Sequence, residues 1–226
     1  MSAATDTQRV LILGGSGRMG RATAEAVIKR GGTAILAGRD AGKLSKVAGA
    51  LGDKATAVVA DVNVDGAISK LVASEKPDHI VVAVSAGARA SDIPGTSTKQ
   101  AKLAFGRFWT SYAAVQAAAS LPSHGSITLL SGSSARTPAP GYGVWSTLHG
   151  SIEALARAAV IEIAPVRLNV VSPGGIGMSP DRQLLPRPGT ADDIGQAIAA
   201  LIYNPAITGA VLDVDSGERK GTWSGD

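Results

Sequence analysis

Val10-Leu11-Ile12-Leu13-Gly14-Gly15-Ser16-Gly17-Arg18-Met19-Gly20 runs from an apolar strand pattern through a glycine-rich turn into a helical pattern. Gly15, Gly17 and Gly20 read as GxGxxG, and Gly14, Gly17 and Gly20 as GxxGxxG. Glycines let a backbone turn sharply and approach a pyrophosphate, while the following helix points free N–H groups and a positive dipole at it. The strand before and the helix after supply the context that such a motif needs. The first expectation is therefore a dinucleotide socket built from Gly14, Gly15, Ser16, Gly17, Arg18, Met19 and Gly20.

Outward from this turn, β-type apolar runs alternate with helical patterns. Strands are expected at 9–13, 33–37, 55–60, 79–84, 126–131, 167–171 and 210–214. Helices are expected at 19–29, 41–51, 65–74, 99–119, 146–163 and 191–202. The alternation predicts an α/β fold: a single Rossmann-type, doubly wound, mainly parallel seven-stranded sheet with helices on both faces. One domain is expected over 9–226, preceded by a short polar tail at 1–8 that carries no signal pattern.

The second strand ends at Ala37-Gly38-Arg39-Asp40. A site for NAD places an acid there to bond the ribose 2′-hydroxyl, which Ala37 cannot do. Arg39 offers instead a charge-assisted contact to a 2′-phosphate, with Arg18 a second cation nearby, so NADP(H) is expected over NAD(H). Asp40 reads as the N-cap of the next helix.

Composition bounds the rest. Of 226 residues 45% are hydrophobic and 18% charged, which suits a globular chain. The net charge of +4 is scattered and aromatics are only 4%, so neither nucleic acid nor membrane is an expected partner. The absence of cysteine removes disulfides and thiolate metal sites; no metal is expected, and a cytoplasmic location is.

With these features in place the chain resembles the short-chain dehydrogenase/reductase family over nearly its full length. The resemblance rests on the glycine turn, Asp61-Val62, Ser85-Ala86-Gly87, Ser131-Gly132-Ser133, Arg167-Leu168-Asn169, Pro173-Gly174 and the terminal Gly209…Asp213-Val214-Asp215-Ser216-Gly217. It implies that Asp61 and Val62 border the adenine. Ser85, Ala86 and Gly87 would line the ribose side, and Pro173, Gly174 and Ile176 the nicotinamide. It also implies oligomers, a homodimer or homotetramer, built on the two long helices at 99–119 and 146–163.

The family's catalytic Ser, Tyr and Lys do not carry over, and the chain is similar in this to a divergent subgroup without Tyr-x-x-x-Lys. The register places Trp145 at the Tyr position, His149 at the Lys position, Gly132 at the Ser position and Arg107 at the Asn position. An indole N–H has no usable acidity, so Trp145 either walls the nicotinamide site or is core. His149 either bonds the ribose or relays a proton, or is structural. Ser131 could polarise a carbonyl, and Tyr142 could enter the site from the loop before the helix. Arg107 could stabilise an oxyanion, bind an acidic substrate or be salt-bridged. Two readings follow: an NADP(H)-dependent oxidoreductase acting on a small carbonyl or related molecule with a non-standard proton donor, or a catalytically degenerate NADP(H)-binding sensor or scaffold. Only Gly175 to Thr190 stand where the family carries a substrate lid, with Met178 at a common nicotinamide-contact position, so the lid is expected to be short.

Overall fold

A computed structural model describes residues 7–85, 92–176 and 183–218. The chain runs β1 (Arg9–Leu13), α1 (Arg18–Lys29), β2 (Thr33–Gly38), α2 (Ala41–Leu51), β3 (Ala55–Val59), α3 (Ala67–Glu75) and β4 (His79–Val82). It continues with α4 (Thr98–Ala104), α5 (Gly106–Gln116), β5 (Ser126–Leu130), α6 (Gly143–Glu162), β6 (Arg167–Pro173), α7 (Ala191–Tyr203) and β7 (Val211–Val214). Short 3₁₀ turns follow α5 at Ala117–Ser120 and β5 at Ser133–Ala135.

All seven strands are parallel, in the order β3-β2-β1-β4-β5-β6-β7. Strands covered on both faces must be apolar throughout, which is why β1 reads Val10-Leu11-Ile12-Leu13 without alternation. Its residues divide between two cores. Leu11 and Leu13 join Ile80, Val82, Ile127, Leu129 and Leu168 against α3, α5 and α6 (Ile68, Leu71, Val115, Leu148, Ile152). Val10 and Ile12 join Leu36, Val81 and Val171 against α1, α2 and α7 (Val27, Leu44, Ile194, Ile198, Leu201).

The helix expected over 99–119 is broken. Phe105, with ψ −8°, ends α4 and begins α5, and the Phe108 N–H donates to Phe105 O three residues back. The tightened turn coincides with Gly106, a poor helix former.

The strand order reverses between β1 and β4, and ligands of such sheets sit at the carboxyl ends beside that point. The glycine turn, Asp61, Ser85, Ser131 and Pro173 each lie at or just beyond the carboxyl end of a strand.

Candidate active site

The glycine turn is shaped by close approach. Gly14 has φ +85°, and a Cβ there would lie 2.7 Å from Ala83 O at the end of β4. A Cβ on Gly15 would lie 2.7 Å from the Leu36 Cβ, and one on Gly20 would overlap Gly14 O. The Gly14 and Gly15 N–H groups donate to Ala37 O at 2.9 and 3.1 Å, and Gly17 N–H donates to Gly14 O at 3.0 Å. No side chain caps α1 at Gly17, so the first-turn N–H groups beyond it are left for an anion. Ser16 and Met19 are half-buried beside them. A Cβ at any of these three glycines would collide with the turn itself or with the end of β2 or β4, so the glycines are needed to form the turn, and the uncapped helix start beyond it fits a pyrophosphate.

Arg18 and Arg39 are exposed, with no hydrogen-bond or ion-pair partner among the described residues. Asp40 caps α2, its Oδ1 accepting from Lys43 N–H at 2.9 Å, and that bond holds its carboxyl below the usual range. Asp61 Oδ1 accepts from the Asn63 backbone and side-chain N–H groups at 3.1 and 2.9 Å, while Val62 is buried. Ser85 is exposed beyond β4; Ala86, Gly87 and Met178 lie outside the described residues. Gly174 N–H donates to Val214 O at 3.1 Å, and Ile176 packs on the second core. Gln183 Nε2 donates to Gly175 O at 2.9 Å, tying the segment after β6 back to its start.

Beyond the carboxyl ends of β5 and β6 lies a cavity of about 410 Å³. Its walls include Gly132, Ser133 and Ser134 after β5, Tyr142, Trp145 and His149 at the start of α6, and Pro173 and Glu218. Trp145 and His149 are stacked, with ring centroids 6.0 Å apart at 29°. Tyr142, 44% exposed at the entrance to the helix, is among the residues that line the cavity.

Ser131 and Arg107 behave differently from expectation. Ser131 is 3% exposed and its hydroxyl donates to Glu153 Oε1 at 2.9 Å. Glu153, itself 2% exposed, pairs through Oε2 with Arg136 Nε at 3.2 Å, and Arg136 reaches on to Asp213. The serine thus serves a buried polar network between β5 and α6 rather than the cavity. Arg107 does not line the cavity; its Nη2 donates to Leu130 O at 2.6 Å and to Ser131 O at 3.2 Å, and its Nη1 to His149 Nε2 at 3.3 Å. It has no carboxylate partner among the described residues, which excludes the salt-bridged reading, and burial pushes its pKa down to about 10.

The state of His149 follows from its neighbours. Arginine has donors only, so Nε2 must be the accepting nitrogen. Burial first, and then the Arg107 charge, push the ring pKa down to about 3, so it is neutral at pH 7 with its single proton on Nδ1. That N–H donates to Ser134 Oγ at 2.9 Å. A Cβ on Gly132 would lie 2.5 Å from both Cε1 and Nδ1 of His149, so the ring fills the space a side chain there would need.

Ser134, Glu153, Arg136 and Glu218 were not singled out from the sequence. Glu153 carried a usable signal: it interrupts the buried face Leu148, Ile152, Ala156 and Ala159 of α6 with a charge. Ser134 carried none, since nothing in its spacing distinguishes it from Ser133. Glu218 contributes a buried Oε2 without a hydrogen-bond partner among the described residues.

A doubly wound parallel sheet, a glycine cradle at its switch point and an adjoining cavity together define a dinucleotide-binding α/β domain. A family model described as enoyl-(acyl carrier protein) reductase matches residues 16–218, and the chain belongs to the short-chain dehydrogenase/reductase family. The short-chain dehydrogenase/reductase malC of Malbranchea aurantiaca is 27% identical over 249 residues, covering 93% of this chain and 94% of the relative. The solved structure of MalC reductase/Diels-Alderase from the same organism superposes with a TM-score of 0.83 at 25% identity, covering 95% of this chain and 96% of the other. A 3-ketoacyl-(acyl-carrier-protein) reductase from Brucella melitensis, solved with NADH, shares the fold with a TM-score of 0.83 at 23% identity, over 93% of this chain and 98% of that one. Among the described residues no helix is long and apolar enough to cross a membrane.

Proposed function

We propose that the protein is an NADP(H)-dependent oxidoreductase that acts on a small carbonyl or related compound with a non-standard proton donor. The observation that carries the cofactor preference is the end of β2: Ala37 stands where an acid would hold a free ribose, and the unpartnered Arg39 follows, with Arg18 on the neighbouring turn. Gly14, Ser16, Gly17, Arg18, Met19 and Gly20 would hold the pyrophosphate, Asp61 and Val62 the adenine, and Ser85, with Ala86 and Gly87, the adjacent ribose. Pro173, Gly174 and Ile176 would hold the nicotinamide beside the cavity. Bound dihydronicotinamide supplies a hydride to the substrate, and the chain's own groups must orient that substrate and meet the charge left on its oxygen. Loss of a general acid lowers a rate by roughly 10²–10⁴-fold rather than abolishing it, so activated substrates remain within reach of such a site.

A second reading, a degenerate NADP(H)-binding sensor or scaffold, is favoured by Trp145 at the position of the family's Tyr. A screen of diones, quinones and imines with NADPH separates the two. Turnover of any of them supports the oxidoreductase; tight NADPH binding with no turnover supports the sensor. The exposed Trp109 and Tyr112 on α5 are the side chains we assign to contact with a second copy, in a homodimer or homotetramer built on α4, α5 and α6. A cytoplasmic location is part of this reading.

A further inference from the structure

Arg107, His149 and Ser134 form a line that begins with a buried cation and ends at a hydroxyl in the cavity wall. We propose that Ser134, and not Ser131, is the group that meets the substrate oxygen, polarised by Arg107 through His149. This rests on the carbonyl-reducing reading above.

Three observations carry it. The orientation of both bonds is fixed by chemistry: Arg107 can only donate to Nε2, at 3.3 Å, and the neutral ring then can only donate from Nδ1, at 2.9 Å. A hydroxyl that accepts on one lone pair still holds its own proton, and Ser134 lines the cavity with Tyr142 and Trp145, where that proton has somewhere to go. The ring cannot drift, because Gly132 lies against its edge and Trp145 stacks on its face. Ser131, by contrast, has committed its proton to Glu153.

In a reduction, a bound dihydronicotinamide would supply the hydride for the new C–H bond, giving oxidised nicotinamide, while the carbonyl π pair moves onto oxygen. The Ser134 O–H would donate to that oxygen as it becomes negative, strengthened by the cation two hydrogen bonds behind it. A proton from solvent water would then complete the alcohol. Ser134 is the catalytic residue; His149 and Arg107 are positioning residues.

The test measures NADPH-dependent reduction of phenanthrenequinone and diacetyl, NADPH affinity by calorimetry, and the ¹⁵N resonances of the protein's three histidines. For Ser134→Ala the expected result is a kcat lower by about 10²–10³-fold with NADPH affinity unchanged, since removing one oxyanion donor has that effect. Ser134→Thr, which keeps the hydroxyl, recovers most of the rate. At pH 7 His149 is expected neutral with its proton on Nδ1, and Ser134→Ala shifts that resonance. A Ser134→Ala enzyme as fast as wild type overturns the inference and leaves the oxidoreductase reading standing, as does a proton found on Nε2. A wild type that binds NADPH and reduces neither these probes nor any other dione, quinone or imine of the screen overturns both.

Discussion

Gly132→Ala acts through one contact, which makes its effect calculable. The backbone there is extended, with φ −176° and ψ 156°, so alanine adopts it without strain. Its Cβ, however, would lie 2.5 Å from two atoms of the His149 ring. Ordinary contacts of carbon are at about 3.5–4.0 Å, so the ring must retreat by roughly 1 Å. That retreat stretches the 2.9 Å bond to Ser134 beyond hydrogen-bonding range. Overpacking of this kind costs about 1–3 kcal/mol and the lost hydrogen bond about 1 kcal/mol more. In a His149→Ala background the obstacle is gone, and Gly132→Ala should stabilise by about 0.4–1 kcal/mol through the unfolded chain. The two substitutions therefore couple by about 2–4 kcal/mol, read from urea unfolding of wild type, both single variants and the double variant. Equal effects of Gly132→Ala in the two backgrounds would refute the claim that His149 occupies the space beside Gly132.

Two other perturbations follow from the buried polar groups. Glu153→Ala leaves the buried Ser131 hydroxyl without its acceptor, while Arg136, 42% exposed, keeps Asp213; an unsatisfied buried polar group costs about 1–3 kcal/mol, and an unchanged urea midpoint would contradict it. Acidification should destabilise the fold through His79 and His149, whose pKa values burial pushes from 6.5 to about 4 and about 3. Both rings are neutral in the folded state, while the unfolded chain takes up protons below 6.5, so stability is fully present above that pH and falls as pH drops towards 4. Each histidine contributes a slope of about 1.4 kcal/mol per pH unit within that window. Urea midpoints at pH 7 and pH 5 measure the fall, which a His79→Gln variant should lessen; equal losses in the variant and the wild type would count against the histidine origin.

The glycine turn and its place in the fold were legible in the sequence because their determinants are local. A strand, three spaced glycines and a helix lie within eleven consecutive residues from Val10 to Gly20, and each glycine is required by a contact with a nearby turn or strand end. The strands were legible for a related reason: burial on both faces demands unbroken apolar runs such as Val10-Leu11-Ile12-Leu13 and Ile80-Val81-Val82. The break at Phe105 was not, because one glycine in a strongly helical stretch is a weak signal. The reacting end of the site was legible only in part. Register pointed to Trp145 and His149, and loop position to Tyr142, yet the partners that decide the ring's state stand 42 and 15 residues away, at Arg107 and Ser134. Ser131 was a candidate because it flanks Gly132, which stands at the position of the family's Ser, and only the buried Glu153 opposite explains why its proton turns away from the cavity.

Calorimetric titration of wild type and Arg39→Ala with NADPH and NADH tests the proposed preference for NADP(H) and its reading by Arg39. A single charge-assisted contact to the 2′-phosphate contributes about 1.5–3 kcal/mol, so wild type should bind NADPH at least about tenfold more tightly than NADH. Arg39→Ala should remove most of that preference and leave NADH affinity unchanged. Equal affinities in wild type, or a preference that survives the substitution, would contradict the account.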